Sequence, residues 1–401
     1  MVHCTAPSPT RRPGVELADI FRAHGEVYRR KRVPTPDQQK VMRAIEACRT
    51  EILGGHLDVC DSCGHSAPSY NSCRDRHCPK CQSLAQNRWL EQRLERLLPV
   101  HYFHVVFTLP AELRKVARRN QRAVYKLLFE AVSETLTRLG DDPDRLGAQL
   151  GFTAILHTWT RELDFHPHVH CVVTGGGLKR DGTRWVAAKR KFLFPVQVMS
   201  RLFRGLFLDA LRREHRKGEI HLDGIDEKEL FDDLYAKEWV VYAKPPFGGS
   251  EQVFKYLGRY THRVGISNQR LISLDSDGVT FATKNGRTIT LAPEEFIRRF
   301  LLHVLPSGFV KIRHYGLWAS GNATTRLTTA RRLLDGKPPV APSPTESTKE
   351  ADPLIEEIDW QKRLLLLTGI DVTRCPRCGV GRMIRQSLDG LLTAPIGQDT
   401  S

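Results

Sequence analysis

The stretch FHPHVHCVVTGGG, residues 165–177, sets the expectation for the fold of this chain. Its histidines, His166, His168 and His170, recur at every second position and run into the apolar pair Val172-Val173. Side chains alternate between the two faces of a β-strand, so the three imidazoles share one face of a predicted strand. Imidazoles on a buried face need hydrogen bonds or a metal, because burial without a partner costs free energy. The repeated histidines favour a metal over a purely hydrogen-bonded cluster.

The preceding segment GFTAILHTW, residues 151–159, is a second predicted strand. If the two strands form a hairpin that turns at Glu162-Leu163, His157 lies directly opposite His168 and on the same face. Either His157 or His166 is therefore the third ligand beside His168 and His170, and the pattern leaves that choice open. Zinc hydrolases of the metallo-β-lactamase type also contain H-x-H, but they continue with Asp-His where this chain has Cys171-Val172.

The chain is strongly basic: 61 Lys and Arg residues against 45 Asp and Glu residues give a net charge of +16. Such a balance favours a polyanionic partner, usually nucleic acid. An apolar run of about 18 residues, as a transmembrane helix needs, does not occur, so a membrane partner is not expected. The first residues, MVHCTAPSPTRRPG, do not resemble a signal peptide, which predicts a cytoplasmic protein.

Clustered cysteines predict a zinc-binding module near the N-terminus. Without an export signal, paired CxxC motifs indicate metal binding rather than disulfides. We predict one structural zinc held by two such pairs: Cys60, Cys63, Cys78 and Cys81. The remaining candidates, for a second zinc, are Cys48, His56, Cys73 and His77. Two cations in the same loop, Arg74 and Arg76, are expected to contact DNA.

A further CxxC pair, Cys375 and Cys378, follows the proline-rich segment KPPVAPSPTESTKEADP, residues 337–353. One CxxC pair supplies half of a four-thiolate site. Three alternatives stay open for it: it takes ligands from elsewhere in the chain, it binds zinc in a dimer, or it binds nothing.

The segment FKYLGRYTHR, residues 254–263, places Tyr256 and Tyr260 four residues apart, on one face of a predicted helix. An adjacent stripe consists of three cations: Lys255, Arg259 and Arg263. Phenols beside cations suit attack on a phosphodiester, with the cations binding phosphates. Taken alone, however, the pattern is better explained by two packing tyrosines beside a solvated basic edge.

Together these motifs resemble the two-tyrosine HUH transposases of the insertion sequence 91 family. His168-Val169-His170 matches the histidine–hydrophobic–histidine motif of that group, and Tyr256-x-x-x-Tyr260 matches its paired tyrosines. HVVFTLP, residues 104–110, resembles the first strand motif of the group. Further similar segments are SCRDRHCPKCQ, YLGRYTHRVGISNQRL and GFVKIRHYGLWA. The resemblance extends from about residue 20 to about residue 330 and continues weakly to the CxxC pair at residue 375.

The resemblance implies an α+β fold in which a central antiparallel sheet carries the histidines and helices pack on one side. It implies a helical and zinc-binding N-terminal domain at residues 1–92, a catalytic domain at 93–330, and a linker with a C-terminal CxxC tail at 331–401. Magnesium or manganese at the histidines is the implied cofactor. The implied partners are single-stranded DNA at the element ends and target DNA, and the implied place of action is the bacterial nucleoid. The resemblance implies that Tyr256 or Tyr260 cuts this DNA through a 5′-phosphotyrosine in rolling-circle transposition.

Two other functions remain compatible with the motifs. A plasmid-type replication initiator or relaxase uses the same chemistry for a different task. A zinc-ribbon DNA-binding protein without catalysis is the second alternative, and it predicts that the histidines and paired tyrosines are dispensable. A nucleotide-binding GxxxxGK[ST] loop does not occur in the sequence, in agreement with a reaction that conserves bond energy.

Overall fold

The computed structural model of the protein describes residues 14–81, 83–244, 265–336, 361, 365 and 369–387. Backbone contacts divide the chain into two compact units. The first unit comprises residues 1–43 and 75–340, and the second comprises residues 44–74 and 341–401. This division differs from the three consecutive domains predicted from the sequence, because the second unit draws on both ends of the chain.

The helices and strands are numbered in chain order. The helices are α1 Leu17–Lys31, α2 Pro36–Ala47, α3 Ser83–Leu94, α4 Leu113–Arg119, α5 Gln121–Asp141, α6 Val196–Arg216, α7 Glu227–Ala236, α8 Pro293–Leu301 and α9 Arg326–Leu334. The strands are β1 Gly55–Cys60, β2 Ser66–Tyr70, β3 Tyr102–Thr108, β4 Gln149–Trp159, β5 Phe165–Leu178, β6 Trp185–Ala187, β7 Val241–Lys244, β8 Leu271–Asp275, β9 Gly278–Ala282, β10 Thr288–Leu291, β11 Ile312–Gly316 and β12 Met383–Ser387. None of the helices in the described parts of the chain has the length and apolar character needed to cross a membrane.

The first unit is built on a six-stranded antiparallel sheet with the order β11-β4-β5-β3-β7, and β6 pairs with β5. The strands β4 and β5, which carry the histidines, are therefore flanked by neighbours on both sides. This architecture confirms the predicted α+β class with a central antiparallel sheet.

One face of this sheet packs on α5 and α6 to form the main core. Apolar spacing predicts a long amphipathic helix over residues 196–216, and α6 has these bounds. Four apolar residues recur every four positions and are buried on one face of it: Met199, Phe203, Phe207 and Leu211. The ring of Phe203 lies 5.1 Å from that of Phe107 on β3, measured between centroids. This face consists of large apolar side chains whose burial contributes on the order of 2 kcal/mol each.

The opposite face of the sheet carries the histidines and a smaller apolar cluster. Ile155 and Val172 on the sheet pack there with Trp318 and with Leu327 of α9. The resemblance implies that helices pack on one side of the sheet and that the tyrosine helix lies across the metal; the tyrosine segment lies outside the described residues. The helix α9 covers part of the second face, because alternate residues at this end of β4 and β5 are apolar in both directions.

The sequence of residues 111–139 predicts one helix, but the structure divides this stretch into two. Asn120 has φ −117° and ψ 44°, which is not helical, and it separates α4 from α5. Its side-chain amide donates to the carbonyls of Val116 and His221, at 3.0 and 2.8 Å. These hydrogen bonds stabilise the break, since asparagine competes with the helical backbone for partners.

Residues 271–291 form a small antiparallel sheet, β10-β9-β8, which the sequence did not predict. Phe281 of β9 contacts Phe296 of α8 with centroids 5.7 Å apart. On its other side α8 packs against α1, where the rings of Phe300 and Phe21 meet at 5.5 Å. These contacts attach the N-terminal helix to the first unit.

The second unit contains a three-stranded antiparallel sheet with the order β12-β1-β2. The strands β1 and β2 form a hairpin, and β12 from near the C-terminus pairs with the other edge of β1. In that pairing Cys60 lies opposite Met383.

Candidate functional site

The histidine-bearing strands pair in the register predicted from the sequence. His157 on β4 lies directly opposite His168 on β5, as the predicted hairpin requires. The hairpin turns at residues 160–164, where Leu163 takes φ 63° and Thr160 donates its N–H to the carbonyl of Asp164 at 3.0 Å. A positive φ at a leucine is unusual, and burial of this side chain stabilises the turn. Both the register and the turn position are therefore confirmed.

The structure brings together three of the four candidate histidines. One ring nitrogen from each of His157, His168 and His170 lies within 4.8 Å of the other two. His166 does not belong to this group; its Nδ1 lies 3.4 Å from Nη2 of Arg114 instead. The geometry therefore favours His157 over His166 as the third ligand.

Hydrogen bonds fix the orientation of two of these rings. Nδ1 of His168 lies 2.7 Å from the backbone carbonyl of His166 and donates to it, which leaves Nε2 as the acceptor nitrogen. Nδ1 of His170 lies 2.8 Å from Nε2 of His104 on β3, and the two rings stack at 5.1 Å between centroids. In both rings Nε2 remains for an ion, an arrangement common among metal-binding histidines.

His104 is a site residue that sequence reasoning did not identify. It belongs to the motif HVVFTLP, but its proximity to His170 depends on the pairing of β3 with β5, in which Val106 lies opposite His170. Pairing of two strands that are about 60 residues apart is not visible in a local pattern. The sequence feature that could have identified His104 is the presence of a histidine within an otherwise apolar, buried strand.

Burial determines the charge of these imidazoles. Removal from water lowers the pKa of His168 to about 4 and the pKa of His104 to about 4. The pKa of His170 is well below its usual range, first because of burial and then because of its neighbours His157 and His168. His104, His168 and His170 are therefore neutral near pH 7, and the neutral imidazole is the form that binds a metal ion.

A pocket of about 190 Å³ opens beside the three histidines. Its other lining residues are Trp159, Thr160, Arg161, Gly265, Ser267 and Arg270. Gly265 is the first described residue after the segment 245–264, and it follows Tyr260 by five positions. Before that segment, the last residue of β7, Lys244, pairs with His104. Lys244 and Gly265 therefore both lie close to the histidines.

The predicted tyrosine motif falls within that segment. Its residues Tyr256, Tyr260, Lys255, Arg259 and Arg263 lie outside the described residues. Their assignment therefore remains a prediction.

The cysteines are grouped differently from the prediction. The thiols of Cys60 and Cys63 lie with those of Cys375 and Cys378, all four within 4.8 Å of one another. The prediction that Cys60 and Cys63 share an ion with Cys78 and Cys81 is wrong. It assumed that CxxC pairs close in sequence bind together, whereas the pairing of β12 with β1 brings in the C-terminal pair.

Two further candidates in the module have structural partners. Both ring nitrogens of His77 are engaged, by Asp75 at 2.9 Å and by the backbone N–H of Leu305 at 3.2 Å, so this histidine is not a second-site zinc ligand. His56 is placed outside the cysteine groups, with Nε2 3.3 Å from Oδ2 of Asp58. Neither histidine is therefore in a position to complete a zinc site.

Arg76 also differs from its predicted role. Its guanidinium donates to the backbone carbonyls of Leu305, Pro306 and Phe309. A cation whose donors are used within the protein is a poor phosphate ligand, so Arg76 is structural. Arg74 in the same loop is exposed and remains a candidate DNA contact.

Comparison with known proteins gives matches over most of the chain. A family model described as "Putative transposase" matches residues 151–326, and one described as "Transposase zinc-binding domain" matches residues 20–109. "Putative transposase y4qJ" of Sinorhizobium fredii (strain NBRC 101917 / NGR234) is 48% identical, over 97% of this chain and 100% of that protein. The transposase for insertion sequence element IS801 of Pseudomonas savastanoi pv. phaseolicola is 27% identical, over 86% of this chain and 82% of that protein.

The chain belongs to the insertion sequence 91 family of transposases. Among solved structures, this transposase is similar to the conjugative relaxase TrwC in complex with oriT DNA, at 15% identity. That similarity covers 58% of this chain and 72% of the relaxase, with a TM-score of only 0.25. The matched transposase range, residues 151–326, contains the histidine hairpin. The matched zinc-binding range ends at residue 109 and leaves out Cys375 and Cys378.

Proposed function

We propose that this transposase cuts and rejoins single-stranded DNA at the ends of its element and in target DNA, through a 5′-phosphotyrosine intermediate, in rolling-circle transposition. The observation that carries the proposal is the group of three imidazoles, His157, His168 and His170, beside the pocket. A non-catalytic DNA-binding protein gives no reason for such a group, since one buried and two half-buried histidines on one face cost desolvation free energy.

The donor set fits a divalent cation. Three imidazoles, two of them with Nδ1 already engaged, each place one ring nitrogen within 4.8 Å of the other two. Magnesium and manganese both favour oxygen ligands, so either of the two expected ions would take phosphate or water oxygens in addition to the three imidazoles. When bound, such a cation polarises a phosphoryl oxygen and stabilises the charge of the transition state.

The nucleophile in this proposal is the phenolic oxygen of Tyr256 or Tyr260. Its bond to phosphorus forms as the bond from phosphorus to the 3′ oxygen breaks, and the phenolic proton is lost while the 3′ oxygen gains one. One phosphodiester replaces another, so the reaction needs no nucleotide. Support comes from Gly265, which lines the pocket only five positions after Tyr260.

Binding of the DNA backbone is assigned to cations around this site. Lys255, Arg259 and Arg263 flank the tyrosines in sequence, and Arg161 is an exposed cation in the pocket lining. The net charge of +16 supports a polyanionic partner. We expect the protein to act on DNA in the bacterial cytoplasm.

Family membership favours transposition over the two alternatives. Replication initiators and relaxases would use the same residues for another task, but the relative that is 48% identical over 97% of the chain is named a transposase.

The test is the formation of a covalent adduct with DNA. Labelled single strands from the element ends are incubated with the protein and manganese or magnesium, and the adduct is detected after denaturation. Tyr256→Phe and Tyr260→Phe should each still form an adduct, whereas the double variant should form none. Transposition in cells should fail in each single variant, because a full cycle needs two successive attacks.

The matched control is Tyr235→Phe, which removes an exposed phenol that bonds Asp209 on α6. This variant should behave like the unmodified protein. An adduct with the double variant would overturn the tyrosine assignment.

A further inference from the structure

Four of the cysteines in the second unit, Cys60, Cys63, Cys375 and Cys378, occur in two copies of one local structure. CDSCG at residues 60–64 and CPRCG at residues 375–379 have the same spacing. In each, the glycine N–H donates to the carbonyl of the first cysteine, at 3.1 and 3.0 Å. Gly64 and Gly379 have φ of 65° and 69°, which only glycine adopts readily. Both segments are thus tight turns that direct two thiols to one side.

The distances between the thiols match those around a tetrahedral ion. Sγ of Cys60 lies 3.7 Å from Sγ of Cys378, and Sγ of Cys63 lies 3.8 Å from Sγ of Cys375. A zinc ion with Zn–S bonds of about 2.3 Å places its sulfurs about 3.8 Å apart. A disulfide would place them at about 2.05 Å. The thiols are therefore arranged as ligands and not as cystines.

Backbone N–H groups surround these sulfurs. Cys63 donates to Sγ of Cys60 at 3.5 Å, Arg377 to Sγ of Cys375 at 3.4 Å, and Gly381 to Sγ of Cys378 at 3.3 Å. Such donors stabilise thiolates, the form of cysteine that binds metal.

The neighbouring backbone is fitted to the site. Asp61 donates its N–H to the carbonyl of Arg382 at 3.0 Å, and Arg382 donates its N–H to Oδ1 of Asp61 at 2.8 Å. A Cβ added at Gly381 would lie 2.4 Å from Sγ of Cys60 and 2.8 Å from Cβ of Ser62. The C-terminal segment thus approaches the turn at residues 60–64 so closely that only glycine fits at position 381.

We infer that Cys60, Cys63, Cys375 and Cys378 hold one zinc ion, so that the C-terminal segment completes a site that the N-terminal zinc-binding domain cannot complete. The family range of that domain, residues 20–109, contains only the first two ligands. Residues 369–387 are consequently an integral part of the zinc-binding unit.

Zinc content gives the first test. Cys375→Ser combined with Cys378→Ser should remove one zinc equivalent per full-length chain. When cobalt replaces zinc, the double variant should show a thiolate-to-cobalt absorption that is weaker than that of the unmodified protein by the contribution of one site. The control is Cys4→Ser, which should keep the zinc content. Cys4 does not belong to the proposed ligand set and lies outside the described residues. Unchanged zinc and cobalt signals in the double variant would overturn the inference.

A second test leaves every ligand in place, in case the serine variant does not fold. A specific protease site inserted within residues 337–353 is cut in the purified full chain, and retention of the C-terminal fragment is measured. The fragment should stay bound and should leave when a zinc chelator is added. Release without chelator, or retention after complete zinc removal, would contradict the inference.

Gly381→Ala sharpens this second test. The added methyl group should increase fragment release and lower the zinc affinity of this one site. Gly205→Ala, where a Cβ meets nothing within 4 Å, is the matched control. Equal fragment retention and equal zinc affinity in the two alanine variants would count against the proposed ligand set. None of these measurements depends on DNA cleavage, so their failure is distinct from failure of the proposed transposase chemistry.

Discussion

The histidine centre and the cysteine centre differ in how far apart their ligands are in the chain. His157 and His170 belong to one hairpin and are 13 positions apart (170 minus 157). Cys60 and Cys375 are 315 positions apart (375 minus 60). The first centre needs only a local hairpin in the correct register, whereas the second needs both ends of the chain to meet.

The two centres also differ in what supports them. The histidine strands lie inside a six-stranded sheet with a large apolar core on one face. The strands of the cysteine unit have little buried surface: β1 is mostly half-buried, and β12 is mostly exposed. A site of the first kind can exist before its ion binds, whereas a site of the second kind gains much of its folding free energy from the ion. The contrast makes three predictions, in order of decreasing effect.

Loss of a histidine ligand should affect chemistry and leave the fold intact. His168→Ala and His170→Ala should each lower single-strand cleavage by about 1000-fold or more, since a bound cation contributes several kcal/mol to transition-state stabilisation. Much of the DNA binding should persist, because phosphate contacts are spread over many cations. Cleavage rates and filter binding with a single-stranded element end measure both quantities.

His221→Ala is the control for these variants, because His221 is exposed and its backbone makes the hydrogen bonds with Asn120. Wild-type cleavage by a His168→Ala/His170→Ala double variant would refute the metal assignment.

Loss of a cysteine ligand should have the opposite outcome, unfolding one unit. Cys60→Ser, or zinc removal by a chelator, should abolish hydrogen-exchange protection in β1, β2 and β12, because this small sheet lacks a sufficient core of its own. Protection of β4 and β5 should change little. Ser62→Ala, an exposed change in the same turn, should leave both regions protected. If β1 and β12 remain protected without zinc, the contrast between the two centres is incorrect.

Loss of the hydrogen bond from His104 should have a smaller effect on the histidine centre. His104→Phe keeps a flat ring beside His170 but removes the partner of its Nδ1. The metal concentration for half-maximal cleavage should rise about 10- to 100-fold, as is typical when the partner of a ligating histidine is lost. The maximal rate at saturating metal should recover, and His104→Gln should restore part of the affinity. An unchanged metal dependence would make His104 a packing residue.

The local features of this protein could be predicted from its sequence alone. Alternation in FHPHVHCVV placed three histidines on one face, and the positions of GFTAILHTW and of the turn set His157 opposite His168. Apolar spacing predicted α6 at its observed bounds. These features depend on backbone periodicities of 2 and 3.6 residues, which act over a few neighbours and are visible in one strand or helix.

The contacts between distant segments depended on tertiary packing. That packing excluded His166 from the histidine group, placed His104 beside His170, and joined Cys60 and Cys63 to the C-terminal CxxC pair. It also used Arg76 to bind backbone carbonyls and not DNA. Such contacts are not predictable from a local pattern because hydrogen bonds between strands are the same for any pair of partners. The choice among partners depends on the packing of whole faces, and no short stretch of sequence records that packing.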